Sequence, residues 1–259
     1  METDYPIPHS SLNKDGSSTI VLIHGAFTSR VWWDLTVPHL PPRYHILAPD
    51  LPGHGEASQK EYSAQSASDT IAQLITDKAI NSKAHIIGHS LGADVAIQLV
   101  CAYPNLIDSV FVSGFGSIPQ GPLSSCVPYA VWTIQRLENL VPKSVIKWAM
   151  DGADLPDTSL SSLDHCQQVM APRSKWPEPW SARALIIVAG KGGLVPSADN
   201  RDVAVRLMET GRRGNPETVA YVHPKMRHPW NRQDPRLFVD TAVAWIEGKA
   251  LPAGFERLG

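Results

Sequence analysis

The sequence predicts an α/β fold: a mostly parallel sheet with helices on both faces and a helical segment inserted late in the alternation. Three observations carry that prediction. Short, β-branched apolar runs alternate with helix-patterned stretches along most of the 259 residues. The run Ala84 to Ile87 meets Gly88-His89-Ser90-Leu91-Gly92 and then a helical pattern, Asp94 to Tyr103. A serine on such a strand–turn–helix junction is strained and projected from the end of the sheet, and its flanking glycines let neighbouring backbones pass closely. Finally, the alternation stops between about Gly116 and Ala182 and then resumes.

Composition bounds the function classes. With 43% apolar and 19% charged residues the chain has an ordinary globular make-up. A formal net charge of -2 offers no basic surface for nucleic acid. Met1 to Ser18 is polar and lacks an apolar core, so no signal peptide is expected. No apolar stretch reaches the ~20 residues of a membrane span, so no membrane partner is expected. Cys101, Cys126 and Cys166 are odd in number and irregularly spaced, which argues against a disulfide framework or a zinc site and for the cytoplasm.

In order, Thr19 to Ile23 is a strand buried on both faces, ending in His24-Gly25-Ala26-Phe27. A helix-like segment with Val31, Trp32, Leu35 and Leu40 follows. His45 to Ala48 is the next strand, leading into Asp50-Leu51-Pro52-Gly53-His54-Gly55. Ser66 to Asn81 reads as an amphipathic helix with Ser66 and Asp69 as its capping pair. After the serine turn and its helix comes the strand Val110 to Val112. The interrupted region holds eight prolines from Pro119 to Pro179, helix-like pieces such as Tyr129 to Leu140, and Trp132, Trp148, Trp176 and Trp180. Those aromatics argue for burial or ligand contact rather than disorder. Leu185 to Val188 restores the alternation, followed by a helix from about Ser197 to Thr210 that ends at Gly211. Thr218 to Val222 is expected as the last strand. The last helix has Asp234 as N-cap, Pro235 in its first turn and Gly248 beyond its end.

His24-Gly25-Ala26-Phe27, Asp50 to Gly55, Gly88 to Gly92 and Arg227-His228-Pro229, in that order and separation, resemble the α/β-hydrolase superfamily over nearly the whole chain. They are similar to its capped branch, which includes esterases, lyases and C–C hydrolases. The resemblance implies a core of residues 1–115 and 183–259, with a helical cap, 116–182, inserted before the penultimate strand.

A serine hydroxyl needs a base before it is a competent nucleophile. His223 and His228 follow the last expected strand, and the position of His228 just ahead of the last helix favours it as partner of Ser90. His24, His54 and His89 belong to signature turns and are read as loop-holding residues. The resemblance implies an oxyanion hole from the Ala26 and Leu91 amides, with Phe27 as the adjacent alternative and as a pocket wall beside Trp132. The triad acid departs from the pattern. Its usual place falls at about Gly193, and Ser113-Gly114-Phe115-Gly116, the other place, has no carboxylate either. Asp199 or Asp202 could supply it, and Asp94 is a further candidate that helix direction points away from the histidine.

Loss of the acid from a working triad costs roughly 10^4 in rate. The leading expectation is therefore a serine hydrolase of small, apolar esters, thioesters or lactones. The alternative is a non-hydrolytic lyase, isomerase or cyclase with His228 as proton shuttle. A catalytically silent ligand-binding module is the third. No metal-ligand spacing, dinucleotide fingerprint or phosphate loop is present, so no cofactor or metal is expected, only a small-molecule substrate.

Overall fold

The six apolar runs of the sequence become six parallel strands of one sheet. The computed structural model describes residues 7–116, 124–156, 160–171, 175–191 and 199–259. The strands are β1 (His9–Leu12), β2 (Ser18–Ile23), β3 (Tyr44–Pro49), β4 (Ala84–His89), β5 (Ile107–Ser113), β6 (Arg183–Ala189), β7 (Val219–His223) and β8 (Glu256–Leu258). Their spatial order is β1-β3-β2-β4-β5-β6-β7-β8. β2 through β7 are mutually parallel, while β1 and β8 add antiparallel to the two edges.

Both edge strands go beyond the expected sheet, and β8 rather than β7 is the last strand. Their sequences, His-Ser-Ser-Leu and Glu-Arg-Leu, are short and largely solvent-facing. No apolar pattern announces them. They form because the open backbone edges of β3 and β7 need partners.

Alternation along the inner strands sends successive side chains into two apolar layers. Val21, Ile23, Ile86, Val110, Val112, Ile186 and Val188 join one cluster. Ile20, Leu22, Ile46, Ile87, Phe111, Leu185 and Ile187 join the other. Helices cover both faces, which is why these strands read as unbroken apolar runs rather than as alternating ones. The helices are α1 (Ala64–Lys78), α2 (Leu91–Ala102), α3 (Val127–Glu138), α4 (Lys143–Ala149), α5 (Leu163–Val169), α6 (Arg201–Arg212), α7 (Trp230–Gln233) and α8 (Pro235–Ile246). In the second cluster the Phe111 ring lies 5.1 Å from Phe238 and 6.2 Å from Trp230, so truncating it to alanine should cost roughly 3–5 kcal/mol.

Several local expectations change. The segment from Val31 to Leu40 forms two 3-10 turns, Arg30–Trp33 and Val37–His39, because Pro38 opens the second and Pro41 follows it. α1 starts earlier than expected: Ser63 is its N-cap and exchanges hydrogen bonds with Ser66, so Ser66 and Asp69 are not the capping pair. α2 begins at Leu91, directly after the serine. α6 begins at Arg201 with the Asn200 side chain as its cap, while Ser197 lies outside the described residues. Gly211 lies inside α6 rather than ending it, and a Cβ there would come within 2.4 Å of the Trp180 ring. α8 matches its signals, with the Asp234 side chain accepting from the Leu237 amide and Gly248 at φ +66°.

Between β5 and β6 the insertion contributes α3, α4 and α5. Its tryptophans do not form a common lining. Trp180 is buried in the core cluster, and Trp176 donates to Thr210 Oγ1 at 2.8 Å with the Arg206 guanidinium over its ring. Trp148 is 75% exposed. On α3, the Trp132 ring is covered by Arg136 at 3.7 Å.

Candidate active site

β4 ends in a turn that nothing larger than glycine could flank. Ser90 has φ 56° and ψ -120°, the left-handed side that favours glycine. A Cβ on Gly88 would lie 2.3 Å from the Gly92 carbonyl oxygen, and one on Gly92 would lie 2.1 Å from the Ile23 carbonyl oxygen. The strain is held by the Ser90 amide donating to the Ser113 carbonyl at 2.8 Å, across to β5. Ser90 Cβ packs against Gly25, where a Cβ would approach to 3.3 Å.

The loop after β7 brings His228 to the same end of the sheet. Its Nδ1 is hydrogen-bonded to Asp199 Oδ1. Asp199 has a fully buried side chain, and its other oxygen accepts from the Ala189 amide at 2.7 Å. Burial pushes that carboxyl upward, but the His228 ring and the Ala189 amide outweigh it and hold it below the usual carboxylate range. The described residues contain no other carboxylate bonded to His228. Asp202 is exposed in the first turn of α6, its amide capped by Asn200, and Asp94 sits in the first turn of α2. Gly193 lies outside the described residues. His223 instead packs on Phe255 at 4.9 Å and against Gly254, beside β8.

Two residues around this pair escaped the sequence reading. Gly114, at φ +70°, leaves room that a Cβ would close to 2.5 Å from His228 Cε1 and 3.3 Å from Asp199 Oδ1. Its one sequence signal is a glycine directly after β5. Asp151, on the insertion, is ion-paired to Arg227, the neighbour of His228.

The signature histidines hold backbone. His24 Nδ1 donates to the Gly25 carbonyl at 2.7 Å and its Nε2 accepts from the Leu51 amide at 3.0 Å. His54 Nδ1 donates to the Pro52 carbonyl at 2.9 Å. His89 Nε2 donates to the His228 carbonyl at 2.8 Å while its ring stacks on Trp32. Burial lowers all three, His24 to about 4 and His54 and His89 to about 3, so each is neutral at ordinary pH. Asp50 closes the motif, accepting from the Arg30 amide at 2.7 Å and the Glu56 amide at 2.9 Å.

Leu91 opens α2, so its amide has no carbonyl one turn back to pair with. Neither it nor the Ala26 amide donates in a turn or loop hydrogen bond among the described residues. Phe27 sits at φ 59°, its ring 5.7 Å from His165 of α5 and 6.4 Å from His54.

Residues 20–241 match the model of the alpha/beta hydrolase family, a span from β2 to α8 that includes Ser90, Asp199 and His228. The chain belongs to this family. A curated relative from Gibberella zeae, an AB hydrolase superfamily protein, is 33% identical over 258 residues, covering 98% of this chain and 88% of its own. A pimeloyl-[acyl-carrier protein] methyl ester esterase from Neisseria meningitidis is 34% identical over 97 residues, or 37% of this chain and 36% of that protein. Among solved structures, a hydrolase from Oleispira antarctica superposes with a TM-score of 0.71 at 14% identity, covering 96% of this chain and 97% of that one. A thermophilic esterase from Thermogutta terrifontis superposes with a TM-score of 0.71 at 17% identity, covering 93% of each chain. At such identities the likeness is one of fold.

The protein is thus an α/β-hydrolase-fold enzyme of hydrolase type, a scaffold that takes small-molecule substrates. Among the described residues no helix is long and apolar enough to cross a membrane, and no cluster of three His, Cys, Asp or Glu could hold a metal ion.

Proposed function

We propose that this α/β hydrolase cleaves small, apolar carboxylic esters, thioesters or lactones by a Ser90–His228–Asp199 triad. The observation that carries the reading is the hydrogen bond between His228 Nδ1 and the buried Asp199 carboxylate. It fixes the tautomer with the proton on Nδ1 and leaves Nε2 basic, and it stabilises the imidazolium that forms when Nε2 takes a proton. Ser90 Oγ then attacks the carbonyl carbon as its proton passes to Nε2. The negative charge that develops on the carbonyl oxygen is met by the Ala26 and Leu91 amides, the latter aided by the positive end of α2. Collapse expels the leaving group with the proton from Nε2, and water, activated by the same base, frees the acid product.

Asp199 stands in for the residue that Gly193 does not supply. The carboxylate comes from just ahead of the Asn200 cap of α6, and its bond to the Ala189 amide ties it back to the end of β6. The proton-shuttle lyase reading rests on an absent acid, and the carboxylate on His228 Nδ1 favours the triad over it. The methyl ester esterase activity of the Neisseria meningitidis relative supports ester substrates, over the 97 residues shared.

Residues 116–182 are read as a cap over this site. His165 of α5 against Phe27, the Tyr62 amide on Gln168 Oε1 at 3.0 Å, and Arg227 on Asp151 support that placement. Phe27, rather than Trp132 under its Arg136, is the better pocket wall. The three unpaired cysteines support a reducing, cytoplasmic setting.

A fluorophosphonate probe tests the reading. It should label Ser90 in the native protein, and neither Ser90→Ala nor His228→Ala should be labelled at a comparable rate. Undiminished labelling of Ser90→Ala would remove the nucleophile from the assignment.

A further inference from the structure

The loops that carry Asp199 and His228 meet the insertion at one carboxylate oxygen. Asp151 Oδ2 pairs with Arg227 Nε and, at 3.0 Å, with Lys191 Nζ. Arg227 immediately precedes His228. Lys191 follows β6 on the way to Asp199, and its amide donates to the Met226 carbonyl at 2.9 Å, one residue before Arg227. The turn that closes α4 presents Asp151 there: Asp151 has φ 53° and Gly152 φ 86°, and the Gly152 amide donates to the Lys147 carbonyl at 2.8 Å. Hydrogen bonds from Lys191 and then Arg227 hold the Asp151 carboxyl below its usual range, so it is ionised.

A second polar tie runs alongside. Arg232, in α7 and 3% exposed, donates to the Asp154 carbonyl from Nε and to the Trp32 carbonyl at 2.9 Å from Nη1. The stretch from Asp151 to Asp154 is therefore pinned to the histidine loop at one end and to the following α7 at the other.

We propose that Asp151 is a positioning residue: it seats the insertion on the two loops that carry the acid and the base, and thereby holds His228 on Asp199. This rests on the triad reading above. Without the carboxylate, two cations that shared one oxygen face each other across the loops, and their repulsion drives Arg227, and His228 with it, away from Lys191 and Asp199. Asp151, Arg227 and Lys191 side chains are 28%, 14% and 41% exposed, so salt should screen the tie.

Steady-state hydrolysis of a p-nitrophenyl ester, at low and at about 1 M salt, tests this in five variants, Arg227→Gln alone among them. Asp151→Asn should lower kcat about tenfold with KM within about twofold, as expected when geometry in the transition state rather than ground-state binding is lost. Its thermal midpoint should stay close to that of the native protein. Asp151→Glu should restore much of kcat, and added salt should slow the native enzyme but not Asp151→Asn. Combining Asp151→Asn with Arg227→Gln should cost no more than the worse single change, since both break one contact. A native kcat in Asp151→Asn, with unchanged salt response, overturns the proposal, as do multiplicative losses in the double variant. His228→Ala, run beside them, separates the failures: turnover that survives it sinks the triad reading itself, whereas loss there with a native Asp151→Asn sinks only the positioning role.

Discussion

The parallel sheet and the helical insertion are held in place by different balances of apolar and polar contact. In β2, the five residues from Thr19 to Ile23 are completely buried, and alternate side chains feed two apolar layers. The insertion is the reverse. Of the ten large apolar side chains exposed among the described residues, eight lie in it: Tyr129, Ile134, Leu137, Leu140, Val141, Val145, Trp148 and Leu160. A few of its apolar groups reach the core: Val169 and Trp180 join the first cluster, and Met170 and Trp176 pack against it. Polar contacts add to that anchorage: Asp151 with Arg227 and Lys191, the Asp154 carbonyl with Arg232, and Gln168 with the Tyr62 amide. Apolar burial over many strands opens only with global unfolding, whereas a few partly exposed ion pairs can open locally. In the proposed triad, the sheet thus carries the strained Ser90 while the ion pairs of the neighbouring insertion can open.

The contrast can be broken most severely at the serine turn. Gly92→Val would drive a side chain into the Ile23 carbonyl, a backbone atom that cannot turn aside, and should leave no cooperatively folded protein in a thermal melt. A native melt for that variant would mean that β2 and α2 are not as closely packed as described.

Paired core and insertion substitutions come next. Phe111→Ala should lower stability by roughly 3–5 kcal/mol in urea titrations, while Leu140→Ser, at an 81% exposed site, should change it by about 0.5 kcal/mol or less. Comparable losses for the two would erase the distinction between the regions.

Acid should act on the sheet side too. His24, His54 and His89 have folded pKa values of about 4, 3 and 3, below the unfolded value of about 6.5. Between those limits the unfolded chain binds more protons, so their contribution is complete above about pH 6.5 and is lost as pH falls toward 3. At pH 5 each ring should destabilise the fold by on the order of 2 kcal/mol. Thermal midpoints should drop steadily below neutrality, and His54→Phe should flatten that slope; an unchanged slope in the variant would remove His54 from the account.

A smaller loss than that of Phe111→Ala is expected at Gly114. Replacing it with alanine adds one carbon beside His228 at a positive φ, so stability should fall by about 1–2 kcal/mol. Its kcat should fall out of proportion to that loss, which differential scanning and kinetics on one sample can separate.

Much of this was legible in sequence because burial on both faces leaves a plain apolar mark. The six parallel strands, the serine turn and the capped α8 each announce themselves locally. β1 and β8 did not, because they pair through backbone and carry almost no apolar side chain. The insertion's tryptophans misled for a related reason: an aromatic residue signals burial or contact without saying against what, and Trp176 and Trp180 turned to α6. Asp199 was one of two nearby carboxylates, since chain distance from β6 cannot tell which one folds back onto Ala189. Gly114 and Asp151 act through partners far away in the chain, His228 and Asp199 in one case and Arg227 and Lys191 in the other. No local pattern records such contacts.

The acid of the proposed triad is the point on which the account turns. Ester hydrolysis by Asp199→Asn, measured as kcat/KM with the thermal midpoint as control, addresses it most directly. The account predicts a folded protein whose rate falls by about 10^3 to 10^4, because the amide no longer holds the Nδ1 proton or stabilises the imidazolium. A folded Asp199→Asn protein within about tenfold of the native rate would contradict it, and would leave His228 working without this carboxylate.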